Sequence, residues 1–177
     1  TAGLAVSELG NAWEGNAMLS YRLSGSMMAL QFRPGFFYQS TDGSAAGGTY
    51  EYSAIGFTVF PVLRIYMLED NAIKFFSNFS VGWGMINGKI KEGVNEVKFS
   101  GGNLGYMVGL GAEFCFFGGS HCMNIEGNFR FLDIERVTAD SVSGTFDGTG
   151  GTIDAVQKDG EVELGSRDLG VNMSGIV

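Results

Sequence analysis

The chain has little of what marks a soluble enzyme or a nucleic-acid binder. Charged residues make up 17% of its 177 positions, against about 25% in ordinary soluble domains. That is too little charge for a fully water-facing surface. No run approaches the roughly 18 apolar residues that a membrane helix needs, so any contact with a bilayer has to be made by strands. Acidic residues outnumber basic ones and give a net charge of -8, which argues against a nucleic-acid or anionic-lipid surface built on clustered Lys and Arg. Proline occurs twice and histidine once, so a hydrolase or acyltransferase would have only His121 as its base. After Thr1 there is no basic region followed by an apolar core, as in an exported protein that has already been processed.

What the sequence does have is 29 Gly, 15 Phe and 6 Tyr, arranged at a period of two. From Ser53 to Met67 the odd positions are Ile55, Phe57, Val59, Pro61, Leu63, Ile65 and Met67, against Gly56, Thr58 and Arg64. Residues 73 to 85 set Ile73, Phe75, Phe79, Val81, Trp83 and Met85 against Lys74, Asn78, Ser80, Gly82 and Gly84. In 104 to 116 the even positions are apolar, and residues 123 to 131 alternate Met123, Ile125, Phe129 and Phe131 with Asn124, Glu126, Asn128 and Arg130. Period two means strands with two chemically different faces. One domain over 1–177 is expected, long enough for a closed sheet.

Connections fall into two alternating classes. Ser24-Gly25, Glu69-Asp70-Asn71 and Gly118-Gly119 are short and rich in residues that tolerate positive φ. Ser40 to Glu51, Gly88 to Gly102 and Ala139 to Glu161 are long. Strands are therefore expected over roughly 14–23, 27–39, 52–68, 72–87, 103–117, 120–137 and 163–177, with an incomplete one over Ala2 to Glu8. Hairpin parity pairs i with 49 minus i around Ser24-Gly25 and with 237 minus i around Gly118-Gly119, which keeps like faces together.

If the apolar stripe faced inward, the chain would be a lipocalin-like soluble carrier of an apolar ligand. Its exterior would then be mostly Gly, Ser and Asn, whereas glycine suits the crowded interior of a small barrel. The polar register also carries Arg22, Arg33, Arg64, Lys74, Glu113, Glu126 and Arg130, a set that can satisfy itself as an ionic core in a lumen. Aromatics divide between two ends. Tyr21, Tyr66, Phe75, Phe114 and Phe116 lie toward the short turns, while Tyr38, Tyr52, Trp83, Tyr106 and Phe131 lie toward the long loops. Two such girdles are expected at the headgroup levels of a membrane barrel.

In strand pattern, turn asymmetry and segments such as 104-LGYMVGLGAEFCFF-117 and 125-IEGNFRFLDIERV-137, the chain resembles the small, eight-stranded bacterial outer-membrane barrels of the OmpA transmembrane-domain and OmpX type. The resemblance implies an all-β, up-and-down antiparallel transmembrane barrel in the bacterial outer membrane. Its lumen would be plugged by a Glu and Arg network that includes Glu113, Glu126 and Arg130. Those barrels usually end in an aromatic residue, whereas this sequence ends at Val177, so either the strand continues or a different insertion signal is used.

Cys115 and Cys122 fall opposite one another on the inward face and are expected to form a disulfide, as a hydrogen-bonded pair beside a two-residue turn. His121 reads as a turn histidine. Asp147, Asp154 and Asp159 offer oxygen ligands without the spacing of a calcium loop, and Gly150-Gly151 opens no phosphate-binding helix. No metal, cofactor or nucleic acid is expected. The partners are outer-membrane lipids and, through the Phe-rich wall, a copy of the chain. The expected role is non-enzymatic: structural, lipid-contacting or recognition through the loops. A lipid-modifying enzyme is the further alternative.

Overall fold

The computed structural model describes residues 12–45, 48–70, 72–116, 121–145, 156–163 and 168–177. All regular structure among them is strand. β1 (Ala12–Asn16) and β2 (Leu19–Arg22) lie along β3 (Met28–Ala45), followed by β4 (Gly48–Glu69), β5 (Ile73–Glu92), β6 (Asn95–Phe116) and β7 (His121–Phe131). β11 (Gly175–Ile176) closes the path against β7, and β9 (Thr138–Ser143) returns to β6. β8 (Asp133–Ile134) and β10 (Val171–Asn172) form a separate small pair. Each neighbouring pair along the main path is antiparallel. The up-and-down sheet curls into a half-barrel. Its edge strands β1 and β11 run in the same direction, because an even number of antiparallel steps separates them. An antiparallel seam between them requires a strand running the other way. The strand expected over Ala2 to Glu8 lies outside the described residues.

The period of two translates directly into exposure. On β4, Ile55 and Phe57 are exposed while Ala54, Gly56, Thr58, Phe60 and Val62 are buried. On β5, Phe79, Val81, Trp83 and Met85 point out, while Asn78, Ser80 and Ile86 point in. Glycine on the inner face makes room for rings: a Cβ on Gly56 would run into the Phe37 ring. Large and small side chains thus fit together across a narrow interior.

Four sequence expectations need correction. Ser40 to Glu51 and Gly88 to Gly102 are not loops. The β3–β4 ladder continues to Ala45 opposite Gly48, and the β5–β6 ladder to Glu92 opposite Asn95. The second ribbon persists because Ile90, Val97 and Phe99 keep burying the inner face, and Gly93 takes the positive φ (59°) that a tight hairpin demands. The Ser24-Gly25 hairpin pairs Arg22 with Ala29, so i meets 51 minus i, two residues longer than expected but with the same parity. In the terminal segment 163–177 the described residues form only two short strands, β10 and β11.

The fourth correction concerns Tyr52 and Tyr66, which are interior residues and not part of the outer girdles, at 6% and 5% exposure. Both occupy even positions on β4, so the alternation itself turns them inward. Tyr52 stacks on Phe99 at 6.0 Å between centroids, and burial pushes its hydroxyl up to about 12. Its unfolded counterpart ionises near 10, so the neutral ring stabilises the fold fully below that pH and the contribution is lost as pH rises toward 12. Ultraviolet titration should show one tyrosinate signal delayed to about pH 12, and Tyr52→Phe should remove that late phase alone.

Candidate functional site

The interior has two chemically different halves. Toward the long-loop end it is apolar, filled by Phe37, Phe60, Ile86, Ile90, Phe99 and Leu132 among others. Toward the short-turn end it is a network of charges and amides. The lumen is therefore polar over only part of its length.

Arg64 sits at the centre of the polar half and is 1% exposed. Its Nε donates to Asn78 Oδ1 at 3.1 Å, its Nη1 to Asn124 Oδ1 at 3.4 Å and its Nη2 to Glu126 Oε2 at 2.5 Å. The guanidinium carbon lies 3.5 Å from the centroid of the Phe76 ring. Arg33 approaches the same carboxylate from β3, with Nη1 at 2.5 Å from Oε1 and Nη2 donating to Oε2 at 3.0 Å. Asn128 Nδ2 donates to Glu126 Oε1 at 3.1 Å, and Asn128 Oδ1 accepts from Asn78 Nδ2 at 3.0 Å. Charge-assisted and bidentate bonds of this kind are the strong ones. Among the described residues no buried side-chain polar atom lacks a partner.

The remaining charges pair along the same inner face. Lys74 Nζ lies 2.8 Å from Glu113 Oε1. Arg130 grips Glu14 through both terminal nitrogens, at 2.5 and 2.9 Å, and donates Nε to the Met173 carbonyl at 2.9 Å. Arg22 donates to Glu69 at 2.5 Å and stacks over Tyr66 at 4.6 Å. At this rim the Arg22 hydrogen bond holds the Glu69 carboxyl below the usual range. All seven expected lumen residues thus lie in ion pairs, with Arg22 the most exposed of them.

Sequence reasoning did not place Glu14 and Glu69 on the inner face, and read Glu69 as part of a turn although it ends β4. Glu14 shares the even parity of Arg22 on the first strand, so extending that register by eight residues would have found it. Glu69 was hidden by a bulge: the register shifts between Tyr66 and Leu68, so Met67 and Leu68 both point outward and Glu69 returns to the inner face. These two acids supply counter-charges that the sequence reading left short.

Of the remaining girdle residues, Tyr21, Tyr38, Phe75, Trp83, Tyr106, Phe116 and Phe131 are exposed and Phe114 is half-buried. Tyr106 stacks on Phe131 at 4.5 Å between centroids, and Phe129 packs against Phe131 at 4.6 Å with its ring tilted by 52°.

Cys115 and Cys122 are joined, with Cα atoms 4.1 Å apart. The Cys115 N–H bonds to the carbonyl of Ala72, just before β5, so the cysteines form a non-hydrogen-bonded pair and not the hydrogen-bonded one expected. That class brings opposed residues closer. The Gly118-Gly119 turn and Ser120 lie outside the described residues. Glu113 stands beside both sulfurs, but the bond between them leaves no thiolate to ligate a metal. His121 lies opposite Phe116. Asp147 and Asp154 lie outside the described residues, and Asp159 occupies a turn at φ 65°. Glu161, Glu163 and Asp168 cluster on the surface, where Arg136 pairs with Glu161 at 3.1 Å and Asp168 at 3.4 Å.

Replacing Glu126 with Leu strands the buried Arg64 and the half-buried Arg33 and should cost about 3–5 kcal/mol. Arg33→Met leaves the Arg64–Glu126 pair intact and should cost less. Urea unfolding followed by tryptophan fluorescence measures both. Alkylation with mass spectrometry should find no labelled cysteine in the native protein and two after reduction.

Comparison with protein-family models, with curated proteins and with solved structures gives no match.

Proposed function

We propose that the chain is a non-enzymatic integral β-barrel of a bacterial outer membrane, of the small OmpA and OmpX type, with its exposed apolar face toward lipid. The observation that carries this reading is the inversion of faces: charges are inside and paired, while the outer face of successive strands is apolar. Such a distribution suits a hydrocarbon solvent and is costly in water. Its dimensions agree. From Phe75 to Met85, at about 3.3 Å per residue and a tilt of about 40°, the outward apolar stripe of β5 rises roughly 25 Å, the height of the apolar band in outer-membrane barrels. An apolar groove of about 720 Å³, bordered by Leu30, Phe32, Leu63 and Phe79, also opens on this outer face.

The interior supports the plugged form of such a barrel. Side chains occupy it from the Lys74–Glu113 pair to the apolar cluster around Phe99 and Leu132, which leaves structural work, lipid contact or recognition through the β3–β4 and β5–β6 ribbons. A soluble carrier would hold its ligand where Phe37, Ile86 and Leu132 already pack together.

The protein should stay soluble only with detergent and migrate faster on a gel before boiling than after. Reconstituted in vesicles, its two tryptophans, Trp13 and Trp83, are both exposed and should be quenched by lipids brominated on their acyl chains. Full solubility without detergent, with no quenching, would support the soluble carrier instead.

A further inference from the structure

The disulfide at the short-turn end has a carboxylate beside it. Glu113 and Cys115 are two residues apart on β6 and so share the inner face, and the register sets Cys122 of β7 opposite Cys115. Cys115 Sγ lies 3.5 Å from Glu113 Oε1. A carboxylate oxygen of Glu113 and both sulfurs all lie within 4.8 Å of one another.

In the oxidised protein the sulfurs are bonded to each other and have no thiolate to offer a cation. Reduction changes that. A dithiol attacks one sulfur through its thiolate, the other sulfur leaves, and the mixed disulfide is then displaced by the second thiol of the reductant. Two electrons pass to the cysteines, which end as two thiols, and the reductant departs as a cyclic disulfide. Cys122 is exposed and Cys115 is buried, so the attack falls on the Cys122 sulfur and Cys115 leaves.

The hairpin does not need the bond to keep the two side chains opposed. β6 and β7 stay paired from Tyr106 opposite Phe131 to Phe116 opposite His121, and the Ala72 carbonyl holds the Cys115 N–H at 2.9 Å. The cysteines are seven residues apart in sequence, and a bond that closes so short a loop adds least to stability.

Once free, the three groups fit a tetrahedral metal. With bonds of about 2.3 Å to sulfur and about 2.0 Å to oxygen, a zinc site sets a sulfur and an oxygen about 3.5 Å apart and two sulfurs about 3.8 Å apart. Cys115 and Glu113 already have the first spacing. Opposed Cβ atoms in a pair of this class are about 4.5–5.5 Å apart, which lets two thiolates take the second by rotation about χ1. Charge agrees as well. Two thiolates and one carboxylate carry three negative charges, and Lys74, with Nζ 2.8 Å from Glu113 Oε1, returns one positive charge. The balance matches one divalent cation, and the nearby Arg22 is already paired with Glu69. Tyr66 donates to the second oxygen of Glu113 at 3.4 Å, an outer contact of the kind that orients a ligand. Thiolates select zinc over calcium and magnesium.

We propose that reduction of the Cys115–Cys122 bond opens a Zn²⁺ site at the short-turn end of the lumen, with Cys115, Cys122 and Glu113 as ligands and the fourth position left to solvent. Binding releases the two thiol protons to water. The bond acts as a switch: oxidised, it closes the site to metal, and reduced, it yields a site whose ion joins β6 to β7 where the disulfide did. The inference goes beyond the membrane reading and does not rest on it.

The test uses the full chain in detergent, reduced with dithiothreitol, freed of it in the absence of oxygen and titrated with Co²⁺, whose thiolate complexes absorb strongly in the near ultraviolet. One Co²⁺ per chain should bind with that absorption and with the visible bands of a tetrahedral ion, and Zn²⁺ should displace it. The unreduced protein should show neither. Glu113→Gln should weaken binding by about tenfold or more, and Cys115→Ser should abolish the one-to-one complex. Circular dichroism follows the strands throughout. No thiolate absorption in reduced protein that keeps its strands overturns the proposal, and so does loss of the strands on reduction, which would make the bond structural only. Binding indifferent to Glu113→Gln, or equal in the oxidised protein, overturns this ligand set. None of these outcomes bears on the membrane reading.

Discussion

Glu126 is one carboxylate serving two guanidinium groups, and the polar half of the interior is organised around it. Arg33 reaches it from β3, Arg64 from β4, and Asn128 supports it from its own strand. A charge removed from bulk water persists only if it is paired and its remaining hydrogen-bonding groups are filled. Arg64 is nearly inaccessible, so it depends on Asn78 of β5 and on Asn124 and Glu126 of β7 holding their positions. The network therefore fixes register as well as charge: slipping any strand by one residue would turn its member of the cluster outward.

With the paired charges gathered inside, the outer face of β5 from Phe79 to Met85 presents apolar side chains. Phe79 at 50% exposure, Leu104 at 61% and Ile125 at 58% illustrate a wall that gains nothing from the folded chain itself. Burying such a side chain is worth about 1.5–3 kcal/mol, and in this fold that gain has to come from what surrounds the sheet. The two halves of the lumen add to the same picture. Ion pairs line the short-turn half, and aromatic and aliphatic residues fill the half toward the ribbons, with a cavity of about 280 Å³ left beside Arg33, Thr58, Glu126 and Arg130.

Much of this was legible in the sequence because a strict alternation leaves few choices. The pairing of Cys115 with Cys122, the inward set from Arg22 to Arg130 and the order of the strands all follow from parity. What escaped did so for identifiable reasons. A single bulge at Met67 reverses parity and hides Glu69. Tyr52 and Tyr66 were assigned by residue type, as interfacial aromatics, although their even positions put them inside. The ribbons beyond the apolar band read as loops because Gly, Ser and Lys dominate them, yet Ile90, Val97 and Phe99 at every second position carry the ladder outward.

The central claim is that the two faces of each strand meet different solvents, lipid outside and paired charge within. Nitroxide labels introduced singly from Asn78 to Met85 on β5, in protein reconstituted in lipid bilayers, test it most directly. Collisions with oxygen should peak at the odd positions and fall at the even ones, with little access to a water-soluble nickel complex at either. Strong nickel access at Phe79, Val81 and Trp83, or no period of two, would contradict the account.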